Sequence, residues 1–192
     1  MAKFHFKYGA MNSGKSDTLI KTAYNYTERG LKVVTLKPSV DTKSQKIVAR
    51  GGASRDVDIL VTPDTSIRKV LGDTQNLACI LVDEAQFLQP SQVDELLAIT
   101  KENNISVIAY GLRTDFLSQL FPGSRRLLEL ADNIEKLPTM CRCGNQAEFN
   151  CRQIDGVFVF EGDQVAIDGD GAVTYESLCG GCYLKEKALS RV

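Results

Sequence analysis

Short apolar runs and longer amphipathic stretches take turns along the first 137 residues. Lys3-Phe4-His5-Phe6-Lys7-Tyr8 alternates with period two, as a strand does. A loop of small residues follows from Gly9 to Ser16. From Asp17 to Arg29 the apolar positions Leu19, Ile20, Ala23 and Tyr24 return at helical spacing, and Gly30 closes the helix. Leu31 to Leu36 reads as a second strand stopped by Pro38. Residues 38–56 are polar and irregular around Gly51-Gly52, which predicts a flexible loop. Val57 to Val61 predicts a strand and Ser66 to Leu71 a brief helix. The unbroken run Cys79-Ile80-Leu81-Val82 suits a strand buried on both faces. Ser91, with Asp94 three residues on, predicts an N-cap and capping box for a helix carrying Leu96, Leu97 and Thr100. Ile105 to Tyr110 predicts another buried strand, residues 125–131 a helix, and Ile134 to Leu137 a last strand. Strands alternating with helices point to an open parallel sheet of about five strands with helices on both faces.

Pro138 marks a change. Beyond it stand five of the six cysteines, four of them as two close pairs, the β-like runs Val157 to Phe160 and Val173 to Tyr175, and the stretch Asp168-Gly169-Asp170-Gly171. The expected organisation is an α/β domain over 1–137 and a small cysteine-bearing β lobe over 138–192. A chain of 192 residues accommodates one domain of about 150 residues and an appendage. Its net charge is −1, with +2 before Pro138 and −3 after it. That balance lacks the basic track a phosphate backbone requires, so no nucleic-acid partner is expected. The sequence has no apolar window of about 18 residues and no apolar signal-peptide core at its start, so the expectation is a cytoplasmic protein without a membrane partner.

The residues that carry chemistry begin with Gly9-Ala10-Met11-Asn12-Ser13-Gly14-Lys15-Ser16, a complete phosphate-binding loop between a strand and a helix. Its glycines let several N–H groups face one anion. Lys15 adds a charge on the β- and γ-phosphates, Ser16 offers a hydroxyl to Mg²⁺, and the helix presents its positive end. Leu81-Val82-Asp83-Glu84 ends an apolar strand in two carboxylates: Asp83 is expected to hold Mg²⁺ and Glu84 to take a proton from an attacking hydroxyl. Asp83-Glu84-Ala85-Gln86 also has the form of a helicase acidic box, but a helicase needs two such domains and a basic track. Cys141-x-Cys143 and Cys179-x-x-Cys182 fit a four-thiolate structural zinc site, with free thiols or a redox pair as the alternative. Cys79 reads as a core residue, Cys151 as a spare thiol and His5 as structural.

Taken in order, the loop Gly-Ala-Met-Asn-Ser-Gly-Lys-Ser, Asp83-Glu84-Ala85-Gln86-Phe87, Tyr110-Gly111-Leu112-Arg113-Thr114-Asp115-Phe116 and the cysteine lobe resemble the thymidine kinase family with a P-loop core and a zinc-bearing lasso lobe. The resemblance spans nearly the whole chain. It implies a P-loop NTPase-like, RecA-like fold and transfer of the γ-phosphoryl of ATP to the 5′-hydroxyl of thymidine. It places the general base on Glu84, the phosphate and Mg²⁺ positions on Lys15 and Ser16, and an acidic position near the metal on Asp41. It puts Leu112, Phe116 and Met11 around the thymine ring. Residues 162–178 fall on the lasso, including Gln164, Ala166, Ile167 and the substrate-contacting Tyr175. The segment Asp168 to Thr174 is longer than the family's usual, and Lys43 stands where its members commonly carry an arginine; a lysine gives no bidentate contact. A homotetramer inhibited by thymidine triphosphate is implied as well. Two other readings stand beside this one: a P-loop ATPase module whose zinc ribbon acts on a macromolecular partner, and a nucleotide-binding regulator without turnover.

Overall fold

The computed structural model describes residues 1–40, 45–164 and 172–190. Six parallel strands form the central sheet: β1 (Phe4–Tyr8), β2 (Lys32–Pro38), β5 (Ile59–Val61), β6 (Leu77–Val82), β7 (Ser106–Gly111) and β8 (Asn133–Lys136). Their order across the sheet is β5-β2-β6-β7-β1-β8, and each falls on one of the six runs read as strands in the sequence. The β6 strand shows why the apolar run was needed. Ile80 and Val82 pack on one face with α2 (Ile67–Leu71), α3 (Pro90–Glu102) and α4 (Pro122–Leu130), while Cys79 and Leu81 pack on the other with α1 (Lys15–Glu28). All four side chains are fully buried.

The loop expected over 38–56 is largely structured. Residues 45–56 form a hairpin of β3 (Lys46–Val48) and β4 (Ser54–Asp56), whose Ile47 is buried against α1 and β6. A single inward residue in a three-residue strand leaves no periodic signal. The α3 cap also differs from expectation. Helix α3 starts at Pro90, whose fixed φ and missing N–H suit a first helical position. The cap is therefore Gln89, and the box is closed by Gln92, not by Ser91 and Asp94.

After Pro138 come β9 (Phe149–Ile154), β10 (Val157–Val159), β11 (Val173–Leu178) and the closing α5 (Gly180–Leu189). The three strands pair antiparallel in the order β10-β9-β11. Their own small core gathers Ala147, Cys151, Leu178 and Tyr183, with Phe149 stacked on Tyr183. Neither β9 nor α5 was expected from the pattern. The inward positions of β9 include Asn150 and Arg152, which a periodicity argument counts as outward, and α5 opens on two glycines.

Helix α4 approaches the turn Ala85–Phe87 so closely that a Cβ on Gly123 would stand 2.5 Å from the Leu88 carbonyl and 2.7 Å from that of Gln86. Gly123→Ala is expected to cost about 1–3 kcal/mol, the usual range for forced overpacking. Paired urea titrations measure this; an unchanged midpoint would mean the contact relaxes freely.

Candidate active site

The carboxyl ends of β1, β6 and β7 meet at one edge of the sheet, where ligands of open α/β folds bind. From β1 the chain enters the loop Gly9–Ser16. A Cβ on Gly9 would lie 2.8 Å from the Leu137 carbonyl, and Gly14 takes a left-handed conformation to start α1. Lys15 folds back on the loop, its ammonium donating to the Ala10 carbonyl at 2.9 Å and to Ser13 Oγ at 3.2 Å. Burial lowers its pKa against the pull of Glu84 and Asp83.

Beyond β6, Asp83 is 3 % exposed and accepts from Ser16 Oγ at 3.3 Å, so the loop hydroxyl and the strand-end carboxylate already face one another. Burial, and then the neighbouring Glu84 carboxylate, push Asp83 up from the usual 3.8 to about 6. Such a pair suits a divalent cation, which would replace the missing solvation. Glu84 itself sits in the left-handed region at φ 51°, uncommon for a residue with a side chain. Gln86, almost fully buried, donates to Glu84 Oε2 at 2.5 Å and accepts from the Leu112 N–H at 3.0 Å.

Two cavities open here. One, of about 440 Å³, is lined by Gly14, Lys15, Ser16 and Arg50. The other, of about 300 Å³ and mostly apolar, is lined by Phe116, Phe121, Asn150, Gln164 and Tyr175. Met11, Glu84 and Leu112 line both. The sequence-derived residues Met11, Leu112, Phe116 and Tyr175 are thus brought together around the second cavity, and Glu84 stands where it meets the first. Ala10, Asn12 and Ser13 belong to the loop. Asp41 and Ile167, and with them Lys43 and Ala166, lie outside the described residues.

The sequence reading missed Arg50, which the β3–β4 turn carries to the phosphate side, and Asn150, Phe121 and Gln86. Gly51-Gly52 was the signal for the turn, but nothing marked its direction. Asn150 Oδ1 accepts from the Met11 N–H at 2.8 Å, and Ser177 Oγ donates to the Met11 carbonyl at 2.6 Å. Strands β9 and β11 therefore hold the phosphate loop from the other lobe.

In the same lobe the sulfurs of Cys141, Cys143, Cys179 and Cys182 all lie within 4.8 Å of one another. Tetrahedral zinc with Zn–S bonds of about 2.3 Å needs S···S spacings of about 3.8 Å, so the four thiols fit that ion. The backbone N–H of Asn145 holds the Cys143 thiol below its ordinary value, and that of Cys182 does the same for Cys179. Cys151 is outside the cluster, and burial pushes its thiol up to about 12. Burial does the same to Cys79.

The thymidine kinase family model matches residues 2–183. The chain belongs to the thymidine kinase family. A thymidine kinase of Coxiella burnetii is 44 % identical over 91 % of this chain and 92 % of its own length. Those of enterobacteria phage T4 and Legionella pneumophila strain Paris are 43 % and 42 % identical, over 93 % and 97 % of this chain and 94 % and 90 % of their own lengths. Membership agrees with the mixed α/β sheet and the phosphate loop at its edge. Among the described residues no helix is long and apolar enough to cross a membrane.

The buried Asp83 makes a signed prediction for this kinase-family site. Its folded pKa lies above the unfolded one, so the folded state binds the extra proton between about pH 4 and 6 and loses stability as pH rises through that window. Without divalent cations, Asp83→Asn is expected to be more stable than the parent at pH 8 by on the order of 1–3 kcal/mol. The gap should close between pH 6 and pH 4. Urea unfolding of both proteins across that range measures it; a gap of the opposite sign would place Asp83 in a well-solvated setting.

Proposed function

We propose that this chain transfers the γ-phosphoryl group of ATP to the 5′-hydroxyl of thymidine, giving thymidine monophosphate for nucleotide salvage. The observation that carries the reading is the junction at Glu84: a phosphate-type cavity and an apolar cavity of base size share that carboxylate. A transfer between two bound molecules needs such a junction, since positioning supplies most of the rate in phosphoryl transfer.

The loop from Gly9 to Ser16, with Ala10, Met11, Asn12, Ser13 and Gly14 between its glycines and Lys15, is assigned to the ATP phosphates. Ser16 and Asp83 would hold Mg²⁺, which supplies charge neutralisation on the β- and γ-phosphates. Asp41 is proposed as an acidic group near that ion. The apolar slot takes the thymine ring between Leu112 and Phe116, with Met11, Tyr175 and Ile167 as further contacts. Glu84 is the base: its carboxylate accepts the 5′-hydroxyl proton as that oxygen bonds to the γ-phosphorus and the bond to the bridging oxygen of ADP breaks. Arg50, on the phosphate side, adds a cation where charge develops.

The same reading divides the chain into an ATP-binding domain, 1–137, and a zinc lobe, 138–192. Cys141, Cys143, Cys179 and Cys182 hold a structural Zn²⁺, since four thiolates leave no open coordination position. A cytoplasmic homotetramer subject to inhibition by thymidine triphosphate completes the proposal.

Supplying ATP and Mg²⁺ with thymidine, deoxycytidine, deoxyadenosine, deoxyguanosine or no nucleoside tests the reaction. Monophosphate is expected with thymidine and little ATP loss without it; hydrolysis indifferent to every nucleoside would favour an ATPase module instead. Glu84→Gln is expected to lose about 10²–10⁴ in kcat, the range for general-base catalysis, while ATP binding persists. Full turnover would remove Glu84 from that role. Cys179→Ser should lower the zinc content measured by elemental analysis and destabilise the lobe; an unchanged stoichiometry would overturn the ligand set.

A further inference from the structure

The guanidinium of Arg152 has an unusual setting. The residue lies in β9 and is only 4 % exposed, yet among the described residues no carboxylate comes within ion-pair distance of it. A buried cation ordinarily has an acidic partner, because desolvation costs it heavily. Arg152 instead spends its donors on neutral oxygens: Nε on the Tyr175 hydroxyl at 2.9 Å, Nη1 on the Asp163 carbonyl at 2.9 Å and Nη2 on the Gln164 carbonyl at 3.1 Å. Its remaining face lies over the Phe116 ring, 3.7 Å from the centroid. At that distance a flat cation and an aromatic face attract one another, more strongly when water is excluded.

What these partners share decides the matter. Phe116, Gln164 and Tyr175 all line the apolar slot, whereas Arg152 stands behind them and does not. They come from separate parts of the chain: the segment after β7, the chain beyond β10, and β11. Gln164 is braced a second time, its amide donating to Asp115 Oδ2 at 2.9 Å. The other Asp115 oxygen accepts from the Leu117 and Gln119 N–H groups. The chain reaches Arg152 through Gly162, at φ 120°, a conformation that side chains rarely adopt. Three walls of one slot therefore hang on a single planar group. Lysine would replace it only in part: an ammonium keeps the charge but has no flat face to stack and no fork to hold two carbonyls at once.

We infer that Arg152 is a positioning residue of the nucleoside slot. It fixes the Phe116 ring, the Tyr175 hydroxyl and the Asp163–Gln164 backbone relative to one another. It thereby sets the affinity for the base while leaving the phosphate cavity alone. The inference rests on reading the slot as the thymidine site.

Steady-state kinetics with thymidine and ATP varied in turn test it, on the parent, Arg152→Met and Arg152→Lys. Arg152→Met is expected to raise the thymidine KM about tenfold or more, the factor for losing a desolvated cation–π contact and its hydrogen bonds. The kcat should stay within about threefold and the ATP KM within about twofold, because nothing on the phosphate side touches Arg152. Arg152→Lys should recover part of the loss. A purely structural role would move both KM values together with the melting temperature and the active fraction, and that outcome overturns the inference, as does an unchanged thymidine KM in Arg152→Met. Should Arg152→Met not fold, Tyr175→Phe, Arg152→Lys and their double variant form a cycle. A thymidine KM in the double variant well below the product of the single effects is expected; independent effects would overturn the inference. A parent that does not phosphorylate thymidine would instead bring down the reading of the slot.

Discussion

The backbone of Met11 is held on both sides by a lobe that begins more than a hundred residues later. Its N–H donates to Asn150 on β9, and its carbonyl accepts from Ser177 on β11. Thr139 adds a third bond, to the Asn12 carbonyl. These contacts decide where the loop Gly9–Ser16 stands relative to the apolar slot, because the slot is built partly from the same strands. A small lobe cannot supply that precision through its own core. Its fully enclosed residues are few, and chains of this size ordinarily need a metal or disulfides to fold firmly. The four-cysteine cluster, spaced to suit a zinc ion, lies at the same end of β9 and β11 as Asn150 and Ser177: Cys179 follows β11 directly, two residues after Ser177. Thiols, strand ends and the backbone of Met11 in the phosphate loop are thus neighbours in one short chain of contacts.

Electrostatics at the sheet edge is arranged around that loop. Lys15, Arg50 and Glu84 line the larger cavity, and Asp83 lies behind its Ser16 wall. The two adjacent carboxylates are not equivalent. Asp83 is buried against the Ser16 hydroxyl, and its raised pKa records how poorly a lone charge is solvated there. Glu84 is turned the other way by its left-handed backbone and reaches the point where both cavities meet. Two neighbouring carboxylates of one strand end thus lie in different places, one against the Ser16 hydroxyl and one at the junction of the cavities, across a single left-handed backbone angle.

The sequence exposed this arrangement unevenly. The phosphate loop and the acidic strand end are legible because their chemistry needs particular residue types at fixed spacing. The cysteine pairs are legible for the same reason, and the structure brings all four together. The sheet is legible through its apolar runs. The hairpin Lys46–Asp56 was not, since Ile47 is one inward residue with no repeat. Strand β9 was hidden because its inward side chains, Asn150 and Arg152, are polar, and hydrophobic periodicity has no term for a polar group whose partners lie across the fold. Asn150 answers to Met11, and Arg152 to Tyr175 and Phe116, at separations no local pattern reports. The α3 cap went to Gln89 over Ser91 because Pro90 settles where the helix can begin.

Gln86 completes the coupling between the two cavities. Its amide donates to Glu84, and its carbonyl accepts from the Leu112 N–H. A Cβ on Gly111 would stand 2.8 Å from that carbonyl oxygen, so the close approach depends on glycine there. Leu112 lines the slot and Glu84 stands where the two cavities meet, so one buried side chain fixes the distance between that carboxylate and the slot wall. Because Gln86 is uncharged, it holds Glu84 in place without neutralising it, as a cation in the same place would. The carboxylate is thereby oriented by a neutral donor at the junction of the two cavities.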